Sequence, residues 1–420
     1  MSQVGIEEIN FYGGVAYLDV CELVQHRDLD MARFDNLLMK QKTIALPNED
    51  LVTYGVNAAK PIIDKLTEEE KNQIKLLITC TESAFDFSKS ASNYIHDYLG
   101  LSRNCRVFEI KQACYAGTAG FQMAVNYILS NTAPNAKALV IASDISRFMV
   151  EKGGDVLSQD WSYAEPSGGS GAVAMLISNA PKVFSLDVGA FGNYSFEVMD
   201  TCRPGTDTEA GDADLSLYSY LECYENALKD YICRVPEADY CNTFQYLSFH
   251  TPFGGMIKGA HRSIMRKLVR APTKEIEIDF GKRVQPGLTY CQRVGNIMGG
   301  TVFLSLISTI AHADLSSPKR VGCFSYGSGC CSEFYSGVLT QQSKAMIDEM
   351  NIAYRIDQRN KIDLSEYDQL LYENTKVKFG ARNLLLDDCF EMDINKFFSD
   401  YPALVLKSIK EFHREYEWTS

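Results

Sequence analysis

Three residues, each at or just after the end of a short apolar run, carry the chemistry that stands out in this chain: Glu82, Cys114 and His250. A cysteine can hold an acyl group as a thioester, a carboxylate can take a proton, and an imidazole can polarise a carbonyl and move a proton. Together they suit chemistry on thioesters. Cys114 lies in VFEIKQACYAGTAG, which reads as a strand (Val107 to Ile110), a turn, and a helix from Tyr115 to Leu129. At a helix N-terminus, unpaired N–H groups and the positive end of the dipole are expected to lower a cysteine pKa from about 8.5. A cysteine taken at random is more often a buried structural residue; its position at the turn is what distinguishes Cys114. Ala116, Gly117, Ala119 and Gly120 allow close approach of a neighbouring backbone or a ligand.

The elements that must position these residues follow from the same pattern. Leu76–Cys80 is a continuously apolar run, as in a strand covered on both faces, and Thr81-Glu82-Ser83 follows it at once. A helix over 88–98, the Cys114 strand and helix, and a strand over 138–143 come next. Strands alternating with helices indicate parallel α/β layering, in which ligands bind beyond the carboxyl ends of strands. A strand over 172–177, led by Gly168-Gly169-Ser170-Gly171, closes a first half. Gly327-Ser328-Gly329 leads a second such run. Gln292-Arg293-Val294-Gly295-Asn296 with an apolar helix over 297–310 echoes the Cys114 turn and helix. These echoes predict a duplicated fold divided near residue 180, as 1–180 and 181–420. Residues 200–214 (DTCRPGTDTEAGDAD) read as a loop flap near the site entrance. A helix over 216–232 follows, then a strand over 244–250 ending at His250, and a helix from Gly254-Gly255 through Arg270. The other histidines (His26, His96, His261, His312, His413) have an ordinary structural reading.

Composition narrows the class. The chain has 420 residues, 46% hydrophobic and 23% charged, with a formal charge of −13. That balance fits a globular protein and argues against nucleic acid as main partner. No apolar run is long enough for a membrane span, and MSQVGIEEIN lacks the basic and apolar parts of a signal peptide. Thirteen scattered cysteines, none in a C-x-x-C pair, fit reduced thiols in a cytoplasm. No Walker loop, dinucleotide fingerprint or HExxH occurs.

ITCTES, EIKQACYAGTAG, FHTPFGG, RVGNIMGG and FSYGSG, in that order, resemble the 3-hydroxy-3-methylglutaryl (HMG) synthase family of the thiolase superfamily. The match runs from Gly5 to a C-terminal helix. The resemblance implies a thiolase-like fold: two duplicated α/β halves with helices layered between and around mixed five-stranded sheets, commonly dimeric. It implies that Cys114 takes an acetyl group and that Glu82 removes a proton from its methyl. His250 and Asn296 would hold the ketone of a 3-ketoacyl thioester, and backbone N–H groups near Cys114 and Ser328 would form the oxyanion hole. Ser216 is implied as a further substrate-binding residue. No metal and no tightly bound cofactor is implied. Coenzyme-A-using members carry a lysine five residues after the histidine; here that position is Gly255, in GGMIKGA. The resemblance is therefore closer to the bacterial polyketide members that act on acyl carrier proteins and install a β-branch, with phosphopantetheine as the substrate-carrying arm.

Arg33 on an early helix (over 31–40) and Lys258, His261, Arg262, Arg266, Lys267 and Arg270 after His250 bring cations to an acidic chain. Their spacings of three and four predict one basic helix face. Arg33, Lys258, Arg262, Arg266 and Arg270 are the expected docking residues for an acidic carrier protein. Three other readings remain open on sequence: an HMG-coenzyme A synthase of mevalonate metabolism, a condensing enzyme of the ketoacyl synthase type, which Glu82 disfavours, and a non-catalytic scaffold that binds carrier proteins.

Overall fold

The structure, a computed structural model, describes residues 3–146, 164–205, 208–377, 379–386, 389–398 and 402–419. Nine strands make one mixed sheet: β1 (Gly5–Tyr12), β2 (Ile74–Cys80), β3 (Arg106–Ile110), β4 (Lys137–Asp144), β5 (Gly171–Ser178), β6 (Phe184–Ser195), β7 (Tyr246–Phe249), β8 (Lys319–Gly327) and β9 (Cys331–Leu339). Their order is β7-β8-β9-β6-β1-β5-β4-β2-β3. Six helices matter to the site: α1 (Met31–Leu37), α2 (Leu51–Lys65), α3 (Ala116–Ser130), α4 (Ala213–Arg234), α5 (Gly254–Ile264) and α6 (Thr301–His312).

The strand order contains the duplication. Outward from β1 the pairings are antiparallel to β5, antiparallel to β4, then parallel to β2 and to β3. Outward from β6 they are antiparallel to β9, antiparallel to β8, then parallel to β7. The second set therefore has four strands where the family pattern implies five. In place of a counterpart to β3 the chain runs through a short helix, Cys291–Val294, and an isolated bridge between Gly168 and Asn296. β1 and β6 join the two sets through only two residue pairs, Gly5 with Ser185 and Ile6 with Phe184.

Helices fill the layers between and around the strands. α2 packs on β1, β4 and β5, and α4 on β6, β8 and β9. α3 lies on β2, β4 and β5, and α6 on β7 and β8. These last two meet each other through Phe121 and Phe303, whose rings stand 5.8 Å apart edge to face. Phe121 is fully buried and also touches Tyr335 of β9; truncating such a ring costs about 3–5 kcal/mol. α3 is thus held by strands of both sets. Its glycines allow the fit: a Cβ on Gly117 would lie 2.1 Å from the carbonyl oxygen of Gly299, just before α6.

Several boundaries differ from the sequence expectation. Residues 200–214 are not a plain loop: Thr201–Gly205 and Thr208–Gly211 pair as a hairpin, with Cys202 opposite Ala210. Residues 206 and 207 of that segment lie outside the described residues. The early helix stops at Leu37 because Leu38 turns left-handed at φ 55°. The helix after His250 ends at Ile264 and continues as a wider π turn, Met265–Val269, which breaks the three- and four-residue spacing of its cations. The helix expected over 297–310 begins at Thr301, and the chain ends in paired strands, Leu404–Lys410 and His413–Trp418, where a helix was expected. Among the described residues no helix is long and apolar enough to cross a membrane.

Candidate active site

The duplicated topology puts four residues at corresponding places. Glu82 follows β2 as His250 follows its counterpart β7; Cys114 precedes α3 as Asn296 precedes α6. The two strand-to-helix turns face each other. Gly299 would meet the Cys114 carbonyl oxygen at 3.7 Å if it carried a Cβ, and Gly327 would meet the backbone N of Tyr115 at 2.6 Å. Only glycine lets the Ser328 turn rest this closely on the Cys114 turn.

Cys114 lies one residue before the N-cap of α3, Tyr115. Ala113, at φ 44°, makes the turn; the left-handed region costs a non-glycine residue about 1–2 kcal/mol. The thiol of Cys114 donates to Glu82 Oε1 at 3.4 Å. Its surroundings reverse the expectation of a lowered pKa. Burial pushes the Cys114 thiol well above its ordinary value, and the carboxylates of Glu82 and Asp144 push it further; Arg203, on the hairpin, acts in the opposite direction. Two nearby carboxylates and a dry setting outweigh a helix terminus, so the resting group is the thiol.

Asp144 was not anticipated. It ends β4 and is 1% exposed. Its Oδ1 accepts from Thr81 Oγ1 (2.8 Å), from the backbone N–H of Glu82 (2.9 Å) and Ser83 (3.1 Å), and from Ser83 Oγ (2.6 Å). The turn that carries Glu82 is therefore fixed by a buried carboxyl group whose pKa is raised, chiefly by burial. The signal was available: like Glu82, Asp144 is a carboxylate at the end of a buried apolar strand.

His250 is 1% exposed. Its backbone is tied on both sides, N–H to Phe324 O at 2.7 Å and C=O to the hydroxyl of Tyr220 at 2.7 Å. Its ring Nδ1 is buried with no protein partner among the described residues. Burial lowers the imidazole pKa to about 3, so the ring is neutral at physiological pH. Tyr220 stands on α4, and Ser216 lies one turn earlier on the same face, half-buried.

Asn296 is oriented by its oxygen. Oδ1 accepts from the N–H of Met298 and from Thr301 Oγ1, each at 3.0 Å. That leaves the Nδ2 amino group as the donor the side chain can offer. At the neighbouring turn, the N–H of Gly329 goes to Asp200 Oδ1 (2.9 Å) and that of Cys330 to Phe196 O (2.8 Å). The N–H of Ser328 has no such acceptor among the described residues. Asp200, fully buried and also bonded by the Tyr326 hydroxyl, ties this turn to the base of the hairpin.

The cations divide into groups the sequence did not separate. α1 packs against α5, and Arg33 is exposed on α1. A Cβ on Gly255 would lie 1.7 Å from Asn36 O, so α1 fills the space any side chain at 255 would need. Lys258 and Arg262 both pair with Glu277, at 2.8 and 2.9 Å, and Lys267 pairs with Glu225. Arg266 and Arg270 are exposed on and after the π turn. His261 does not belong to this face: it is fully buried, 2.8 Å from Tyr240 OH and 2.9 Å from Asp279 Oδ2.

Comparison with known proteins agrees with this arrangement. Residues 1–182 match the family model described as hydroxymethylglutaryl-coenzyme A synthase N terminal, and residues 260–415 match its C-terminal counterpart. The chain is 61% identical to the polyketide biosynthesis 3-hydroxy-3-methylglutaryl-ACP synthase PksG of Bacillus subtilis, over 100% of both chains. It is 31% identical to the hydroxymethylglutaryl-CoA synthase of Enterococcus faecalis, over 88% of this chain and 92% of that one. Among solved structures, the HMG synthase of the curacin biosynthetic pathway in complex with acetyl donor-ACP superposes with a TM-score of 0.95 at 59% identity, over 99% of this chain and 100% of that one. With its thiol, carboxylate and imidazole at the ends of duplicated strands and both family models matched, this chain belongs to the hydroxymethylglutaryl synthase family.

Proposed function

We propose that this protein is an HMG-ACP synthase of polyketide biosynthesis: it transfers acetyl from an acyl carrier protein to Cys114, condenses it with a 3-ketoacyl-ACP, and hydrolyses the product from the enzyme to leave a β-branch. The observation that carries the reading is the 3.4 Å contact between Cys114 and Glu82, at the turn facing Asn296 and Ser328, in a chain 61% identical to an HMG-ACP synthase.

The steps follow from the geometry. Cys114 sulfur attacks the acetyl thioester carbon, and the thiol proton passes to Glu82 as the S–C bond forms. The carrier's thiol leaves with a proton. Glu82, again a carboxylate, takes a proton from the acetyl methyl, and the carbanion adds to the ketone carbon of the second substrate. His250 and the amino group of Asn296 hold the ketone oxygen. The neutral His250 ring passes a proton to the new alkoxide and is restored by the proton Glu82 took from the methyl, relayed by water, so that Glu82 ends as a carboxylate and His250 as a neutral imidazole. Water then cleaves the Cys114 thioester, giving a carboxylate and a free thiol. The N–H groups of Cys114 and Ser328 form the oxyanion hole; removing one such donor typically costs about 3 kcal/mol. Ser216, one turn from Tyr220, contacts substrate at the mouth. These steps need no tightly bound cofactor; phosphopantetheine arrives on the substrate.

Arg33, Lys258, Arg262, Arg266 and Arg270 form the docking surface for the donor and acceptor carrier proteins. We assign a homodimer, supported by β3, which is an edge strand of the sheet with half-buried Val107, Phe108 and Ile110. The division into halves near residue 180 is supported by the N-terminal family model ending at 182. None of the 13 cysteines is in a disulfide, which supports a cytoplasmic setting. The test is mass spectrometry after incubation with acetylated carrier protein alone. One acetyl mass on the peptide holding Cys114, absent in Cys114→Ser, is expected; an unmodified Cys114 overturns the reading.

A further inference from the structure

The steps above leave unused a buried carboxylate that reaches the start of the Cys114 helix. Glu333 stands on β9, the strand that leaves the Ser328 turn, and is 3% exposed. Its side chain points away from α4 and toward α3. Oε2 accepts from the hydroxyl of Tyr115 at 2.7 Å, and Oε1 accepts from Gln122 Nε2. Tyr115 is both the N-cap of α3 and the residue after Cys114. Gln122 is seven residues further along, on the same helix face. One carboxylate therefore fastens the start of the Cys114 helix to the strand beyond the Ser328 turn.

Burial raises the Glu333 pKa to about 7, and the hydrogen bonds from Tyr115 and Gln122 are the only offsets. The titratable groups facing it are Tyr115 on α3 and Cys331 and Tyr335 on β9; burial raises the pKa of all three. Cys323 on β8 lies beyond Tyr335, with a pKa also raised by burial. Thr118 adds an untitrated, buried hydroxyl from α3 beside Tyr335. Within this cluster Glu333 is the group poised to change charge near neutrality.

We infer that Glu333 is a positioning residue for Cys114, acting through Tyr115: its ionised carboxylate holds the start of α3 against β9 with two hydrogen bonds, and protonation removes one acceptor. The inference rests on Cys114 being the acetyl carrier. Above about pH 7 both oxygens accept and the Cys114 turn is fully held. As pH falls through that value a proton occupies one oxygen, one bond is lost, and acetylation slows. The thiol and the other groups of the site are common to wild type and variants, so a rate ratio isolates Glu333.

The experiment measures the rate of Cys114 acetylation by a small pantetheine thioester between about pH 6 and about pH 8, by mass spectrometry. Glu333→Gln keeps the size and an acceptor for Tyr115 but cannot ionise. The wild-type to variant rate ratio is expected to rise roughly threefold or more across that range, the lower end of what loss of one hydrogen bond gives. Tyr115→Phe, which removes the linking hydroxyl, is expected to give the same rise. It also supplies the comparison if Glu333→Gln fails to fold. A ratio that stays constant with pH, even at a uniformly lower rate, overturns the proposal and leaves Glu333 a structural tie. Absence of acetyl on wild-type Cys114 at every pH overturns the functional reading itself, and this proposal with it.

Discussion

Cys114 Sγ and Glu82 Oε1 are in contact at 3.4 Å, so the thiol and the carboxylate form a hydrogen-bonded pair. The negative charge of Glu82 is one cause of the raised thiol pKa, second to burial. Replacing it by an uncharged isostere therefore lowers that pKa. In Glu82→Gln, alkylation of Cys114 by iodoacetamide is expected to reach its half-maximal rate at a lower pH than in wild type. The same variant is expected to accept acetyl, more slowly because the thiol proton has lost its carboxylate acceptor, yet to lose condensation from the acetylated enzyme by about 10²- to 10⁴-fold, since a carboxamide cannot take the methyl proton. Unchanged condensation from preacetylated Glu82→Gln would remove Glu82 from the role assigned to it.

His250 makes a prediction about stability. Its folded pKa is about 3, below the unfolded histidine value, because the ring is buried. Between about 6.5 and 3 the unfolded chain binds a proton that the folded chain does not. Stability is therefore lost as pH falls through that window, by about 1.4 kcal/mol per unit once below 6.5. Urea unfolding at a series of pH values is expected to show a shallower acid slope for His250→Gln than for wild type. An equal slope would mean the ring is charged, or accessible to protons, in the folded state.

Gly255 stands where coenzyme-A-using members of the family carry lysine, and the backbone of α1 occupies the space beside it. Gly255→Lys is thus expected to displace α1 and to destabilise the protein by about 1–3 kcal/mol, the range for overpacking. Thermal denaturation reads the loss. A Gly255→Lys protein as stable as wild type, with faster acetylation from acetyl-coenzyme A, would show that α1 yields readily and that the glycine does not exclude the lysine.

Glu82, Cys114 and His250, the candidate site residues, stand out in the sequence because each follows a short apolar strand, where polar side chains have little structural purpose. The electrostatics of Cys114 was not legible. A sequence shows a helix start, but not that Glu82 and Asp144 converge on the thiol from two other strand ends. β1 and α2 were unread for a related reason. β1 carries Glu7 and Glu8 in a fully buried strand, where Lys137 and Lys182 pair with Glu7 at 2.9 and 3.1 Å. α2 contains Gly55 and Pro61, which weaken a helical pattern, and is sustained by an Asp50–Thr53 capping box and burial of its face. His261 has the structural place read for it, held in the core by Tyr240 and Asp279, although its spacing in the sequence also aligned it with the surface cations.

The docking surface gives the last prediction, and the ion pairs sharpen it. Lys258 and Arg262 share Glu277, so that trio offers a partner about one net positive charge. On the proposed docking surface, Arg266 and Arg270, exposed at the π turn, and Arg33, exposed across on α1, would add further positive charge facing an acidic carrier protein. Exposed ion pairs contribute only about 0.2–1 kcal/mol each, so a single substitution is expected to do little. Arg33→Glu with Arg266→Glu turns attraction into repulsion at two places, and acetylation by a carrier protein is expected to slow roughly tenfold or more. The loss is expected to shrink at high salt, which screens exposed charges beyond about 10 Å. A small pantetheine thioester, which reaches Cys114 without touching this surface, is expected to react at nearly the wild-type rate. Glu277→Gln works in the opposite sense: it leaves Lys258 and Arg262 without their carboxylate and is expected to speed reaction with the carrier at low salt. Equal losses with both donors would locate the damage in the site, and no loss with either would place carrier docking on another face.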